Sequence, residues 1–314
     1  MIFIRFADMM TGLRSFCSKG FSKLKGRQAE LALVGAMILW ASSFIALKVA
    51  FQSYDPWTVI AGRMWVASFC FVLFWKKLFN FQYQAGDWKV LAIMGAVEPC
   101  LYFVLEGMAL QYTSAGQAGM VTALSPVMVA VVAFFALGER INKVAALGLT
   151  IAIGGVVLLG STGEATESAP NPMLGNFLEL LAMLCAAIFS VCLKVLSKRY
   201  SALTLTAYMS AVGAVFFTPL ALLKGGPWFV SSQAISAILF LGAFVTLGAY
   251  LLYNYAIAHM PVTRAASFVN LIPVFTLILA YLWLGETLTG IQFVACGIVL
   301  FGVVLSQKGD KQDV

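Results

Sequence analysis

About ten stretches of mostly apolar residues, each close to the ~20 residues that a bilayer-spanning helix needs, follow one another from near residue 31 to near residue 306. The polar breaks between them are short. A chain patterned this way has little choice of fold, because backbone groups in lipid must find their hydrogen bonds within a helix or a closed barrel. The runs are too long and too continuous for barrel strands. They predict helices over 31–51, 57–79, 88–111, 115–137, 143–161, 174–197, 203–223, 233–258, 263–284 and 288–306. Composition agrees: 61% of the 314 residues are hydrophobic and 11% charged, against ~25% charged in soluble domains.

The charges sort by side. With the N-terminus placed in the cytoplasm, the basic residues of the first thirty positions fall inside, as do Lys76, Lys77, Lys89, Arg140, Lys143, Lys194, Lys198, Arg199, Arg264, Lys308 and Lys311. Lys224 alone falls in an outer loop, while Lys48 and Arg63 lie within spans. The positive-inside rule then puts both termini in the cytoplasm. The net charge of +7 sits at helix ends rather than in an aromatic-laced patch, so nucleic acid is not expected as a partner. The six cysteines lie mostly in apolar runs with no metal-ligand spacing, and no metal or cofactor is expected. The N-terminus lacks the apolar core of a signal peptide; its basic and apolar residues alternate, which fits either a segment lying on the inner leaflet or a disordered cytoplasmic tail.

The chain repeats itself. Residues 122–160 align without a gap on 269–307, with Pro126 on Pro273, Leu137-Gly138-Glu139 on Leu284-Gly285-Glu286, and Gly155-Val156-Val157-Leu158 on Gly302-Val303-Val304-Leu305. Five spans per half is an odd number, so the second half must enter the membrane from the opposite side. The expected fold is an all-α integral membrane protein of ten transmembrane helices, built as two inverted five-helix repeats with both termini inside. Its parts are a cytoplasmic arm (1–30), a first repeat (31–161), an external linker (162–173), a second repeat (174–306) and a cytoplasmic tail (307–314). Inverted repeats are the architecture of many secondary transporters, whose substrate site lies near the midplane between halves.

At several of these residues the sequence resembles the drug/metabolite transporter superfamily, in its ten-helix EamA-type branch. The resemblance rests on Trp40-Ala41-Ser42-Ser43-Phe44 with Lys48, on Arg63, on Ala109 through Ala115, on Leu124-Ser125-Pro126-Val127 with Gly138-Glu139, on Tyr255-Ala256-Ile257-Ala258, and on Leu271-Ile272-Pro273-Val274 with Gly285-Glu286. It implies a multi-pass carrier in the inner (plasma) membrane that moves a small organic metabolite, amino acid-like, drug-like or related, by alternating access, often in the direction of export. Shorter multidrug relatives carry a carboxylate in helix 1. This chain has none there, so their proton-for-drug mechanism does not transfer.

Ionisable groups inside a membrane cost ~2.5–3.5 kcal/mol each and mark a site or a structural pair. Glu98, Tyr102 and Glu106 recur at i, i+4 and i+8 along helix 3. Glu98 falls near the bilayer centre, beside Pro99, which should loosen the backbone there. One reading places these groups in a polar cavity opening outward between helices 1, 2, 3 and 6, with Glu98 its deepest acid. The other pairs Arg63 with Glu106 and Lys48 with Glu179 to hold the bundle. Trp40, Phe44, Tyr102, Tyr250, Tyr253 and Tyr255, with Ser43 and Asn254, supply rings and hydroxyls for a solute box. Pro126 and Pro273 fall about ten residues into helices 4 and 9, as hinges or as packing kinks, with Thr122, Ser125, Asn270 and Thr276 beside them. Glu139 and Glu286 are expected to bond a neighbouring loop or helix N-terminus. Gly154, Gly155, Gly297 and Gly302 read as close-approach surfaces within one chain or at a homodimer face, leaving monomer and homodimer both open. A channel or a flippase for a lipid-linked substrate fits the same pattern. An enzyme fits poorly: one histidine, His259, and no nucleophile–base motif occur.

Overall fold

The computed structural model describes residues 26–74, 78, 83–137, 143–163, 165–224, 231–259, 265 and 268–310. Residues 1–25 of the basic arm, Lys76, Lys77, Glu139, Arg140, Glu164 and Arg264 lie outside them, while residues 26–30 of the arm are the first turns of α1. The helices are α1 (Gly26–Phe51), α2 (Pro56–Val72), α3 (Asp87–Tyr112), α4 (Ala115–Val121, continued by Thr122–Leu124 and Ser125–Leu137), α5 (Lys143–Ser161), α6 (Pro172–Leu196), α7 (Ala202–Lys224), α8 (Ser232–His259), α9 (Leu271–Leu284) and α10 (Gly290–Asp310). Six of them are long and apolar enough to cross a bilayer, and α2, α5, α9 and α10 carry shorter apolar stretches. Most ends fall within a few residues of the sequence expectation.

Local chemistry sets where the helices begin. Asp55 accepts from Trp57 N (3.0 Å) ahead of Pro56, and Asn171 accepts from Leu174 N (3.1 Å) ahead of Pro172. Each pairs a side-chain cap with a proline at the first helical position, where its missing N–H costs nothing. Ser114 and Ser231 cap α4 and α8 in the same way. Gly86, at φ +98°, turns the chain into α3, and Gly285, at φ +66°, closes α9.

Four helices are not regular. Glu98 has φ −149° and ψ 115°, an extended residue inside α3, within a wide turn over Ala96–Leu101. Proline disfavours helical geometry in the residue before it, so the expected loosening at Pro99 is borne by Glu98 itself. In α8, Leu241–Ala249 forms a second wide turn. Helix 9 was expected from 263; Ala265, Phe268 and Val269 are helical, a turn follows at Asn270, and the continuous helix runs from Leu271. Pro273 therefore sits in a first turn, and Pro126 is likewise the second residue of the segment that restarts at Ser125. Pro126 thus follows a 3-10 turn inside the continuous α4, and Pro273 follows the turn at Asn270, so each stands beside an irregular turn of its helix.

Packing orients the helices. Asn171 N donates to Tyr112 O (3.1 Å), so α6 starts where α3 ends; this is the Tyr112 face. At the opposite, Asp87 face, Arg199 Nη1 lies 2.5 Å from Asp87 Oδ1 and the Tyr200 hydroxyl donates to Asp87 Oδ2 (2.8 Å). Glu286 accepts from Ala115 N (3.0 Å) and Gly116 N (2.8 Å), capping α4 at the Tyr112 face, as a bond to a helix N-terminus was expected. The matched helices α4 and α9 thus meet with the start of one beside the end of the other. Near the Asp87 end, Leu33, Met37, Met94, Leu193, Leu196 and Leu205 form part of a continuous apolar core. Helices α5 and α10 cross through glycines: a Cβ on Gly302 would lie 2.5 Å from Ala152 N, and one on Gly148 would lie closer still to Ser306 N. Gly155 packs on Val299 in the same seam, while Gly154 and Gly297 face open space.

Candidate functional site

A cavity lies in the middle of the bundle. Helix α1 contributes Trp40, Ser43 and Phe44, whose i, i+3, i+4 spacing puts them on one face. Arg63 comes from α2, and Glu98, Tyr102, Phe103 and Glu106 from α3. The wall is completed by Thr122 and Ser125 of α4, Met183, Phe189 and Ser190 of α6, and Tyr250 and Tyr253 of α8, with Ile272 of α9. The cavity is therefore wider than the four-helix site expected from sequence.

Its rings form a connected box. Trp40 meets Tyr250 edge-on at 5.3 Å between centroids and Tyr253 at 4.8 Å; Phe189 lies 6.3 Å from Tyr250. Each phenol has a partner, as burial requires. Tyr102 donates to Glu106 Oε1 (2.8 Å), and Tyr250 donates to Glu98 Oε1. Ser190 gives its proton to Ala186 O (2.8 Å), which leaves its oxygen to accept from Tyr253 (2.9 Å).

The charges are arranged less simply. Arg63 is 2% exposed, donates from Nε to Thr246 Oγ1 (3.0 Å), and lies with Cζ 4.6 Å from the Phe103 ring centroid. Its Nη1 has no hydrogen-bond partner in the protein, nor does Glu98 Oε2. Arg63 and Glu106 share the cavity but form no ion pair. The expected Lys48–Glu179 pair is not formed either. Lys48 Nζ instead donates to Ser168 O (2.6 Å) in the segment before α6, and both Glu179 oxygens are buried without a protein partner. A lysine near a helix end reaches a loop carbonyl that no spacing rule could point to.

Of the other expected residues, Asn254 is turned away from the cavity, donating from Nδ2 to Thr206 Oγ1 (2.7 Å), and Asn270 does not line it. Thr276 packs on Gly119 of α4. Met183, Phe189 and Ser190 carried no sequence signal; a serine or phenylalanine in an apolar helix is unremarkable until its neighbours are known. The buried cluster of Thr113, Gln117 and Asn176, which ties α6 to the α3–α4 turn, was also missed. Among the described residues no cluster of three or more His, Cys, Asp or Glu could hold a metal ion.

Chemically, the site offers an aromatic box, one fixed guanidinium and two carboxyl groups, all removed from water. It can hold a small organic solute that carries both apolar surface and charge.

Comparison with known proteins points the same way. The model of the EamA-like transporter family matches twice, over residues 27–161 and 173–307. An uncharacterized transporter of Archaeoglobus fulgidus is 28% identical over 289 residues, spanning 91% of this chain and 99% of its own. A probable terminal-alkyne amino-acid exporter of Streptantibioticus cattleyicolor is 27% identical over 289 residues, spanning 91% and 95%. A crystal structure of a protein 16% identical shares the fold, with a TM-score of 0.66 over 91% of this chain and 99% of that one.

Proposed function

Since the chain belongs to the EamA-like transporter family, and is thus a multi-pass membrane transport protein rather than an enzyme, we propose that it is a secondary transporter carrying a small organic metabolite across the inner membrane by alternating access. The observation that carries this reading is the central cavity, whose wall combines residues of α1 to α4 with residues of α6, α8 and α9. A site shared by two halves can change the side to which it opens when the halves move against each other. The two family-model matches, one per half, and the opposed course of α4 and α9 support ten crossings arranged as inverted repeats of residues 31–161 and 174–306, with both termini in the cytoplasm. The exporter among the relatives supports an amino acid-like or related solute and outward movement.

Trp40, Ser43, Phe44, Tyr102 and Tyr253 form the solute box in this reading, with Glu98, Glu106 and Arg63 supplying charge. Thermal-shift screening of the purified protein identifies ligands, because a solute that binds the folded state raises its melting temperature. Saturable counterflow of the labelled hit across proteoliposomes then tests for a carrier. Glu98→Gln is expected to lower counterflow ~10-fold or more while leaving the elution profile intact. Unsaturable flux would indicate a channel, and normal kinetics in the variant would remove Glu98 from the site.

A further inference from the structure

The part of α3 that comes before Glu98 is a separate piece of helix. Asp87–Gly95 is a regular segment of nine residues, ~13 Å long at 1.5 Å per residue. It ends where the wide turn Ala96–Leu101 begins, and Glu98 within that turn has an extended backbone. A residue that leaves helical geometry interrupts the hydrogen-bond ladder, so the segment before it can change direction as a unit. At its other end Gly86, at φ +98°, turns the chain again. The segment is bounded by a bend at each end.

What holds it in place belongs to the other half of the molecule. Outside α3 it packs chiefly on α6 and α7. Its tip is fixed by Asp87, 3% exposed, which accepts from Arg199 Nη1 at Oδ1 (2.5 Å) and from the Tyr200 hydroxyl at Oδ2 (2.8 Å). One turn further on, the Leu91 carbonyl accepts from the Tyr208 hydroxyl of α7 (2.9 Å). That phenol reaches the main chain because residue 95 has no side chain: a Cβ on Gly95 would lie 2.8 Å from its oxygen. Both ties run from the first half to the second. Met37, Met94 and Leu193 stand about one turn nearer the Asp87 face than the cavity residues Trp40, Glu98 and Ser190. All three are wholly buried in one apolar core, and they close the cavity on that side.

We infer that Asp87–Gly95 is a gate: pivoting at Glu98 and latched to the second half through Asp87 and Tyr208, it swings out and draws Met94 with it, which opens the cavity to the Asp87 face. The inference rests on the transport reading above and adds to it which piece moves and what holds it shut. Arg199 is 34% exposed, so water can take over its bonds when the latch releases. Glu98 also lines the cavity, so a solute bound there meets the gate at its pivot.

The test needs no solute. Ser43→Cys places a thiol in the cavity wall, and its reaction with a small impermeant cationic methanethiosulfonate is followed at that position by mass spectrometry in sealed membrane vesicles. Reaction of Thr166→Cys, exposed in the segment before α6, marks vesicles in which the reagent meets the Tyr112 face. With the reagent on the Asp87 face, adding Asp87→Asn is expected to raise the rate ~10-fold or more, and adding Tyr208→Phe ~3-fold, because the first loses a charged hydrogen bond and the second a neutral one. With the reagent on the Tyr112 face neither addition raises it. The native Cys296, buried in the separate core around α4, α5 and α10, stays unreacted throughout. Each variant is first checked for monodisperse elution, and Arg199→Gln replaces Asp87→Asn if the latter fails that check. A rate unchanged by either addition, or one that rises equally from the Tyr112 face or at Cys296, would overturn the gate. Solute counterflow is a separate measurement, so a negative labelling result beside saturable counterflow removes the gate and leaves the carrier standing.

Discussion

Arg63 is buried to 2% exposure and meets its surroundings through two features that only a guanidinium offers. One N–H is directed at Thr246, and its flat face lies on Phe103. Lysine has neither the fork nor the plane. Arg63→Lys is expected to destabilise the protein by about 1–3 kcal/mol, read by thermal unfolding in detergent, and to weaken solute binding as well. Unchanged unfolding would mean that the bond to Thr246 contributes nothing. The sequence marks Arg63 as costly and therefore purposeful, yet it suggests an acidic partner where the structure supplies a hydroxyl and a ring. Lys48 fails in the same way. Charge in an apolar run is visible from composition, but its partner depends on which backbone or side chain happens to face it across a helix boundary.

Among the helices, the pattern of apolar runs located almost every element, because in lipid each crossing must be a continuous helix of near-fixed length. What it could not locate is where a helix restarts. Pro126 and Pro273 look alike in sequence, and only the structure shows that a 3-10 turn at Thr122–Leu124 precedes the one and a turn at Asn270 the other. The glycines are similarly ambiguous. Gly155 and Gly302 belong to a seam within the chain, and Gly148, which no motif singled out, is its tightest point. Gly302→Leu must push α5 and α10 apart. A loss of at least ~3 kcal/mol is expected, beyond the usual range for overpacking because main-chain atoms cannot turn aside. By contrast Gly297→Leu, facing open space, should leave the melting temperature within a few degrees of wild type. Equal effects of the two substitutions would refute the seam.

The whole molecule is tied together at both faces by polar contacts between its two halves. Asp87 holds Arg199 and Tyr200 at one, and Glu286 caps α4 at the other. Single cysteines replacing Thr166 and Arg199 are expected to react with an impermeant thiol reagent from opposite sides of the membrane, Thr166 from outside; reaction from one side would exclude the proposed course of the chain. Asp87→Asn should cost about 1–3 kcal/mol, since Asp87 is buried although Arg199 is partly in water. The Asp87 contact was not foreseen, and for Glu286 only the kind of partner was, because each contact joins residues more than a hundred positions apart.

The glycine crossing of α5 and α10 has a mechanical corollary. Two rods whose main chains touch can neither slide nor roll past one another without losing that fit, so in the proposed alternating-access cycle this pair would be the stationary axle. The swing that would expose the cavity in that cycle would then fall to the remaining helices, first of all to α3 and α8, whose regular winding lapses beside the cavity.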